Sequence, residues 1–173
     1  MKKIIIICLA AAIMVSGCKT AADKKDRLAK ATRENKNGWI YLHVEGSPAD
    51  IGYQHGYLLA NDIDTSIQAT AFLFLHETKR DWAFYRNAAK SFLWDKLDRE
   101  YKDEINGIVE GLQAQHKNYD SLDITAYNAL EELGFYYVPM QDNLAKPGSG
   151  NNKAPGNCSA FIATGSFTKD GKL

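Results

Sequence analysis

Gly46-Ser47-Pro48-Ala49-Asp50-Ile51-Gly52-Tyr53-Gln54-His55-Gly56 decides how this chain begins to fold. Ser47 is a capping residue, Pro48 suits the first helical position, and Asp50 puts a negative charge in the first turn, where the helix dipole favours it. The stretch predicts a helix starting at Pro48. Ile51, His55, Leu58, Leu59, Ile63 and Ile67 then recur at three- and four-residue spacing, so one continuous helix is expected with that stripe turned inward. Gly52 and Gly56 lie one turn apart and remove side-chain bulk where another element packs closely. His55 sits on the stripe beside a glycine, which suits a buried, hydrogen-bonded core histidine, the other reading being a catalytic role.

Working outward, Gly38 to Glu45 alternates and is rich in β-formers, so it reads as a strand. Ile40, Leu42 and Val44 fall on one face, and Trp39, Tyr41 and His43 on the other. A second amphipathic helix is expected from Trp82 to Leu97, with Phe84, Tyr85, Phe92, Leu93 and Leu97 in the core. A third begins at Asp98 or Arg99, runs to about His116, and carries Ile105, Ile108, Val109 and Leu112 as its stripe. Gly107 and Gly111, four apart, each cost up to ~1 kcal/mol inside a helix relative to Ala, which implies a close helix approach. Asp123 is read as the cap of a fourth helix, from Ile124 to about Leu133. From Gly134 to Gly156 periodicity fades, and Pro139, Pro147, Gly148, Gly150, Pro155 and Gly156 predict a long loop.

The N-terminus is read as a processing signal. Lys2 and Lys3 precede an apolar run from Ile4 to Val15, too short for a stable membrane span, followed by Val15-Ser16-Gly17-Cys18. This order resembles a bacterial lipobox: residues 1–17 are expected to leave as a lipoprotein signal peptide, and Cys18 to be lipidated. Each buried CH₂ of the added chains would contribute roughly 0.8 kcal/mol to attachment. The expected location is therefore an exported bacterial lipoprotein, membrane-anchored through Cys18 and facing the periplasm or cell surface. Residues 18–37, charged and poor in large apolar side chains, are read as a tether. Removing Lys2 and Lys3 leaves 19 basic against 21 acidic residues. No basic patch interleaved with aromatics appears, so nucleic acid is not an expected partner.

Of three cysteines, Cys8 leaves with the signal and Cys18 is capped, so Cys158 stands unpaired. It follows a Gly/Pro/Asn-rich loop and opens Cys158-Ser159-Ala160-Phe161-Ile162-Ala163-Thr164, an apolar, β-prone run. An unpaired thiol at a strand start in an exported protein is a candidate nucleophile. Its base is either a histidine brought near by the fold (His55, His76 or His116) or its own α-amino group, freed by a cut at Asn157–Cys158. That amine has a reference pKa of about 7.7–8.0, well placed to take the thiol proton. Histidine spacing supports no metal site, no phosphate-cradling loop follows a strand, and no cofactor is implied.

Three segments occur together in one order: Gly46-Ser47-Pro48 through Gly56; Glu104-Ile105-Asn106-Gly107-Ile108-Val109-Glu110-Gly111; and Cys158-Ser159-Ala160-Phe161 with the Thr168-Lys169-Asp170-Gly171 turn. In this the chain, from about Gly38 to Leu173, resembles the N-terminal part of a C45-type autoproteolytic acyltransferase/hydrolase, the penicillin acyl-transferring group. Phospholipase-B-like proteins share the Cys-Ser-Ala start. The resemblance implies an α+β Ntn-hydrolase fold, two sheets between helical layers, cut into a helical α-chain (38–157) and a β-chain beginning at Cys158. Residues 158–173 would then be only the start of that β-chain, and the chain a fragment lacking its oxyanion and orienting groups. Cys158 would be the catalytic nucleophile, Asn157 and Cys158 the cleavage site, and Ser159 and His55 supporting residues. Asn157 departs from the Gly that precedes the nucleophile in penicillin acyltransferases. The expected substrate is a small amide, ester or lipid. The alternatives are a phospholipase-B-like lipid deacylase and a non-catalytic surface lipoprotein in which Cys158 is a core residue.

Overall fold

The computed structural model describes residues 25–145, 162 and 164–169. It is mostly helical with one two-stranded antiparallel sheet, an α+β arrangement. The chain divides into two compact units, 1–130 and 131–173.

In the first unit a helical turn (25–28) leads into strands β1 (Thr32–Lys36) and β2 (Trp39–His43). Asn37 and Gly38 connect them with φ of 54° and 82°. Two consecutive positive φ values make the turn that matches strand twist, and Asn-Gly is the pair that adopts it most readily. The register runs from Lys36 opposite Trp39 to Thr32 opposite His43. The stretch read as a tether is thus folded in its second half. Its five polar residues escape a periodicity search because no face of β1 is buried.

Helix α1 (Pro48–Leu58) starts where the sequence places it: Ser47 Oγ accepts from the Asp50 amide and Pro48 stands in the first turn. It does not run on. At Leu59 (φ −110°, ψ 20°) the axis breaks, and α2 (Ala60–Thr78) continues to Lys79, which closes it in the left-handed region at φ 60°. The buried face of α1 also differs from the expected stripe. Gly52, Tyr53, Gln54 and Gly56 are buried, whereas Ile51, His55 and Leu58 are only partly covered.

The partner explains that rotation. Helix α4 (Arg99–Ala114) lies against α1 with its own glycines facing in. A Cβ on Gly52 would stand 2.0 Å from the Glu104 carbonyl oxygen, and one on Gly56 2.1 Å from that of Ile108. Reciprocally, a Cβ on Gly107 would meet the Ala49 oxygen at 2.3 Å, and one on Gly111 the Tyr53 oxygen at 2.3 Å. Residue numbers rise together along both helices, so the pair is parallel, backbone against backbone. The opposite side of α4 supplies Ile105, Ile108, Val109 and Leu112 to a core shared with Ala60, Ile67 and Ile124.

Helix α3 (Trp82–Phe92) is shorter than expected and passes into a 3₁₀ turn (Trp94–Lys96). Its buried residues are Tyr85, Ala88 and Ala89, while Phe92, assigned to the core by periodicity, is exposed. Helix α5 (Ser121–Asn128) is capped by Asp120, not Asp123. Asp123 instead reaches back to the Asp120 amide at 2.9 Å, completing a reciprocal capping box.

In the second unit the expected loop is helical as far as Ala145. A π-helical segment (Glu132–Tyr137) contains Gly134, and α6 (Val138–Ala145) has Pro139 in its first turn. α6 follows the π-helical segment without a break, the Val138 amide still donating to the Leu133 carbonyl, so neither punctuating residue ends the helix. Residues 146–156, the remainder of the expected loop, lie outside the described residues, as do 157–161.

Gly52→Ala and Gly107→Ala are expected to destabilise the chain by about 1–3 kcal/mol or more, the usual range for forced overpacking. Backbone oxygens cannot rotate out of the way, so the helices must separate. Urea unfolding followed by circular dichroism measures the loss, and wild-type midpoints in both variants would contradict this packing.

Candidate functional site

Cys158, Asn157, Ser159 and Cys18, the residues carrying the chemistry expected from sequence, lie outside the described residues. What the structure places is the scaffold around the first two shared segments, and these prove to be one body. Gly46–Gly56 contains the start of α1, Glu104–Gly111 is the middle of α4, and their glycines interlock.

Two side chains lock the hairpin and N-terminal turn onto this pair. Gln54, only 2% exposed, acts as an inserted peptide group. Its Oε1 accepts from the Glu45 amide at 2.8 Å, and its Nε2 donates to the carbonyls of Glu45 (2.8 Å) and Arg27 (2.7 Å). Arg27 donates from Nε to Asp50 (3.1 Å), from one terminal nitrogen to Glu110 (2.7 Å) and from the other to the Ala49 carbonyl (2.9 Å). Its guanidinium also lies 4.0 Å over the Tyr53 ring. One planar fork thereby joins residues preceding β1 to both glycine-paired helices. Asp50 is held below the usual carboxylate range, first by the Ser47 hydroxyl and then by Arg27. Neither Gln54 nor Arg27 was expected from periodicity: one is a polar residue on an amphipathic helix, the other a cation in a charged run. A cleft of about 250 Å³ beside this junction is lined by Asp26, Arg27, Lys30, Glu45, Asp50 and Gln54. Four of its charged side chains are paired, Arg27 with Asp50 at 3.1 Å and Lys30 with Glu45 at 2.8 Å.

The four histidines are dispersed. His55 is half-buried on α1; burial pushes its pKa below the ordinary value, and Glu104 opposes that only in part. The neutral imidazole is therefore the resident form at neutral pH. His43 on β2, His76 on α2 and His116 beyond α4 are exposed on separate elements. Among the described residues no three His, Cys, Asp or Glu side chains gather as metal ligands would. No helix there is long and apolar enough to cross a membrane.

A second polar cluster fixes the chain after α4. Asp64 on α2 accepts from Lys117 Nζ (2.6 Å), Tyr119 Oη (2.5 Å) and Gln68 Nε2 (2.7 Å). The Lys117 and Tyr119 hydrogen bonds lower its carboxyl to about 2. Tyr119, through burial and then Asp64, is pushed up to about 12. A third cluster ties α3 to α5, with Arg86 paired to Asp120 at 2.7 Å and to Asp123 at 2.5 Å, and Trp82 Nε1 donating to Asp123 at 2.9 Å.

No family model matches this chain, and no curated protein or solved structure matches it either. The likeness to the C45 group therefore rests on its three segments alone.

Two measurements test these assignments. Gln54→Ala leaves the Glu45 and Arg27 backbone groups without their partner and is expected to cost about 1–3 kcal/mol, read from chemical unfolding; a loss within error of zero would contradict the bridging role. Asp64 titrates lower folded than unfolded, so it stabilises above its ordinary value of 3.8 and loses that contribution as pH falls towards about 2. Melting temperatures measured from pH 5 to 2 are expected to fall less steeply in Asp64→Asn than in wild type.

Proposed function

We propose that this chain carries the N-terminal part of a lipid-anchored, self-cleaving cysteine hydrolase or acyltransferase of the Ntn type, with Cys158 as nucleophile. The observation that supports it best is that two of the three resembling segments, about 50 residues apart in sequence, pack as one glycine-interlocked pair. Chance matches scattered along a sequence would have no reason to contact one another. The apolar run after Cys158 and the absence of a cysteine partner support the same reading.

In maturation the Cys158 sulfur attacks the Asn157 carbonyl carbon. The tetrahedral intermediate collapses with loss of the Cys158 nitrogen, which takes a proton and becomes an α-amine while the acyl group moves to sulfur. Water then hydrolyses the thioester, leaving Asn157 with a carboxylate and Cys158 with a free amine and thiol. In turnover that amine accepts the thiol proton as sulfur attacks a substrate amide or ester, then returns it to the leaving group. The acyl-enzyme thioester passes to water or to an acceptor amine. The αββα sandwich, the lipid on Cys18 and the bacterial envelope location belong to the same proposal.

The alternative is a surface lipoprotein in which Cys158 is an inert buried thiol. Intact-mass measurement separates the two. Wild type is expected to appear as two chains divided at Asn157–Cys158, and Cys158→Ala as one. A wild type that stays whole, or a Cys158→Ala variant that is still cut there, defeats the self-processing reading.

A further inference from the structure

The hairpin has one face turned to the helices and one turned away. Residues opposite each other on an antiparallel ladder share a face. The register therefore puts Lys36 with Trp39, Glu34 with Tyr41 and Thr32 with His43 on one side. Asn35 with Ile40 and Arg33 with Leu42 fall on the other. Arg33 donates to Asp62 at 3.1 Å, which turns that second side toward α2. The first side faces outward: Trp39 is 71% exposed and Tyr41 55%. Aromatic side chains gathered on one strand, beside an all-polar partner strand, mark a contact surface.

Trp and Tyr concentrate where an apolar phase meets water, because each joins a broad apolar ring to one polar group. Lys36 stands at the hairpin tip opposite Trp39. Its long stem lets the ammonium lie level with anionic headgroups while the indole goes deeper. Glu34, the acid on that face of the two strands, is two residues further from the tip. A tip-first approach thus brings Trp39 and Lys36 to the headgroups and leaves Glu34 in water.

The short run of chain before the hairpin brings a bilayer within reach. Six residues separate Cys18 from Lys25, where the described residues begin; fully extended they span roughly 25 Å. A chain attached at Cys18 would hold the hairpin close to the lipid, at a high effective concentration. Charge is distributed to match. Residues 19–37 hold seven Lys and Arg against three Asp and Glu, whereas residues 38–173 hold twelve against eighteen. Arg27, Lys30 and Arg33 are engaged in ion pairs, and Lys25 and Lys36 are exposed. A basic segment beside a lipid anchor is attracted to an anionic leaflet.

We propose that the outer face of the hairpin, with Trp39 and Tyr41 as its apolar contacts and Lys36 at its tip, docks on an anionic lipid surface. The docking rests on the Cys18 anchor proposed above, because so small a face does not hold a chain at a bilayer alone. It orients the α1–α4 body with its N-terminal hairpin against the membrane.

Anchoring the chain chemically separates the two ideas. The chain from Cys18 onward, with Cys158→Ala leaving one thiol, is coupled through Cys18 to maleimide-bearing lipids. These sit in phosphatidylcholine vesicles, with or without phosphatidylglycerol, whose acyl chains carry bromine, a short-range quencher of tryptophan. Fluorescence is expected to fall in the anchored chain. Trp39→Phe, a surface change with little effect on stability, is expected to lose that quenching although Trp82 and Trp94 remain. Lys36→Gln is expected to lower the docked-to-free ratio about fivefold on vesicles containing phosphatidylglycerol and to change nothing on phosphatidylcholine alone. No quenching in the anchored chain, or equal quenching with and without Trp39, overturns the proposal. So does sedimentation that shows a dimer in which a second copy shields Trp39. The mass of the N-terminal peptide from cell membranes reads the anchor separately: an unlipidated Cys18 defeats the anchor, whereas the vesicle result decides the docking face.

Discussion

The backbone-to-backbone approach of α1 and α4 is the constraint on which the rest of the first unit depends. Four carbonyl oxygens occupy the places where four Cβ atoms would otherwise stand. Glycine is the only residue that fits, despite its cost of up to ~1 kcal/mol in a helix interior. Close contact of this kind also allows Cα–H···O contacts along the interface, each worth about 0.5–1 kcal/mol. The helices run parallel, so their dipoles lie side by side with like ends together, an unfavourable arrangement that antiparallel neighbours avoid. Parallel packing also requires the chain to travel back before α4 begins. Helices α2 and α3 make that return, and the break at Leu59 and the left-handed Lys79 are where it turns.

Polar side chains then determine what the pair carries. Glycine faces hold helices together without specifying anything beyond them, because they present no groups to read. Gln54 and Arg27 supply that specificity at the edge of the interface. Gln54 satisfies both polar groups of Glu45, fixing the end of the hairpin to α1. Arg27 spans Asp50 on α1 and Glu110 on α4, so its ion pairs form fully only when the two helices are in register. Surface ion pairs usually contribute little. This one is unusual in that its side chain is only 17% exposed and also stacks on Tyr53. A charged segment expected to hang free is thereby part of the folded body.

The local signals were legible where one residue type has one physical use. Ser47-Pro48 marks a helix start, and paired glycines in two helices mark close packing, although nothing in the sequence says that each pair is the other's partner. Spacing misled where small residues compete with large ones for the buried face. On α1 the glycine side is buried rather than the Ile51–Leu58 stripe, and on α3 Ala88 and Ala89 go inward while Phe92 remains outside. β1 was hidden because an exposed strand has no apolar period, although Asn37-Gly38 carries the hairpin signal. Gly134 and Pro139 suggest a loop; the first lies inside a π-helical segment and the second directly after it, and the helix runs through both. The candidate nucleophile was legible as a lone thiol, and its surroundings depend on residues outside those described.

Which base would serve such a thiol can be argued further from the scaffold. A Cys–His pair needs an imidazole that is held, oriented and able to carry a positive charge once it takes the proton. His43, His76 and His116 are exposed, and among the described residues none is anchored by a neighbouring carboxylate at hydrogen-bond distance; His43 lies 3.9 Å from Glu45. His55 is held, but burial disfavours its charged form, and Glu104 recovers only part of that loss. A base with these properties resists the protonation that catalysis asks of it. An α-amine on Cys158, if the proposed cut frees one, would have no such difficulty, because it would be covalently fixed beside its own sulfur and its reference pKa lies just above neutrality. The positioning problem then passes from the base to the backbone carrying Cys158, whose rigidity decides how well sulfur and carbonyl are aligned.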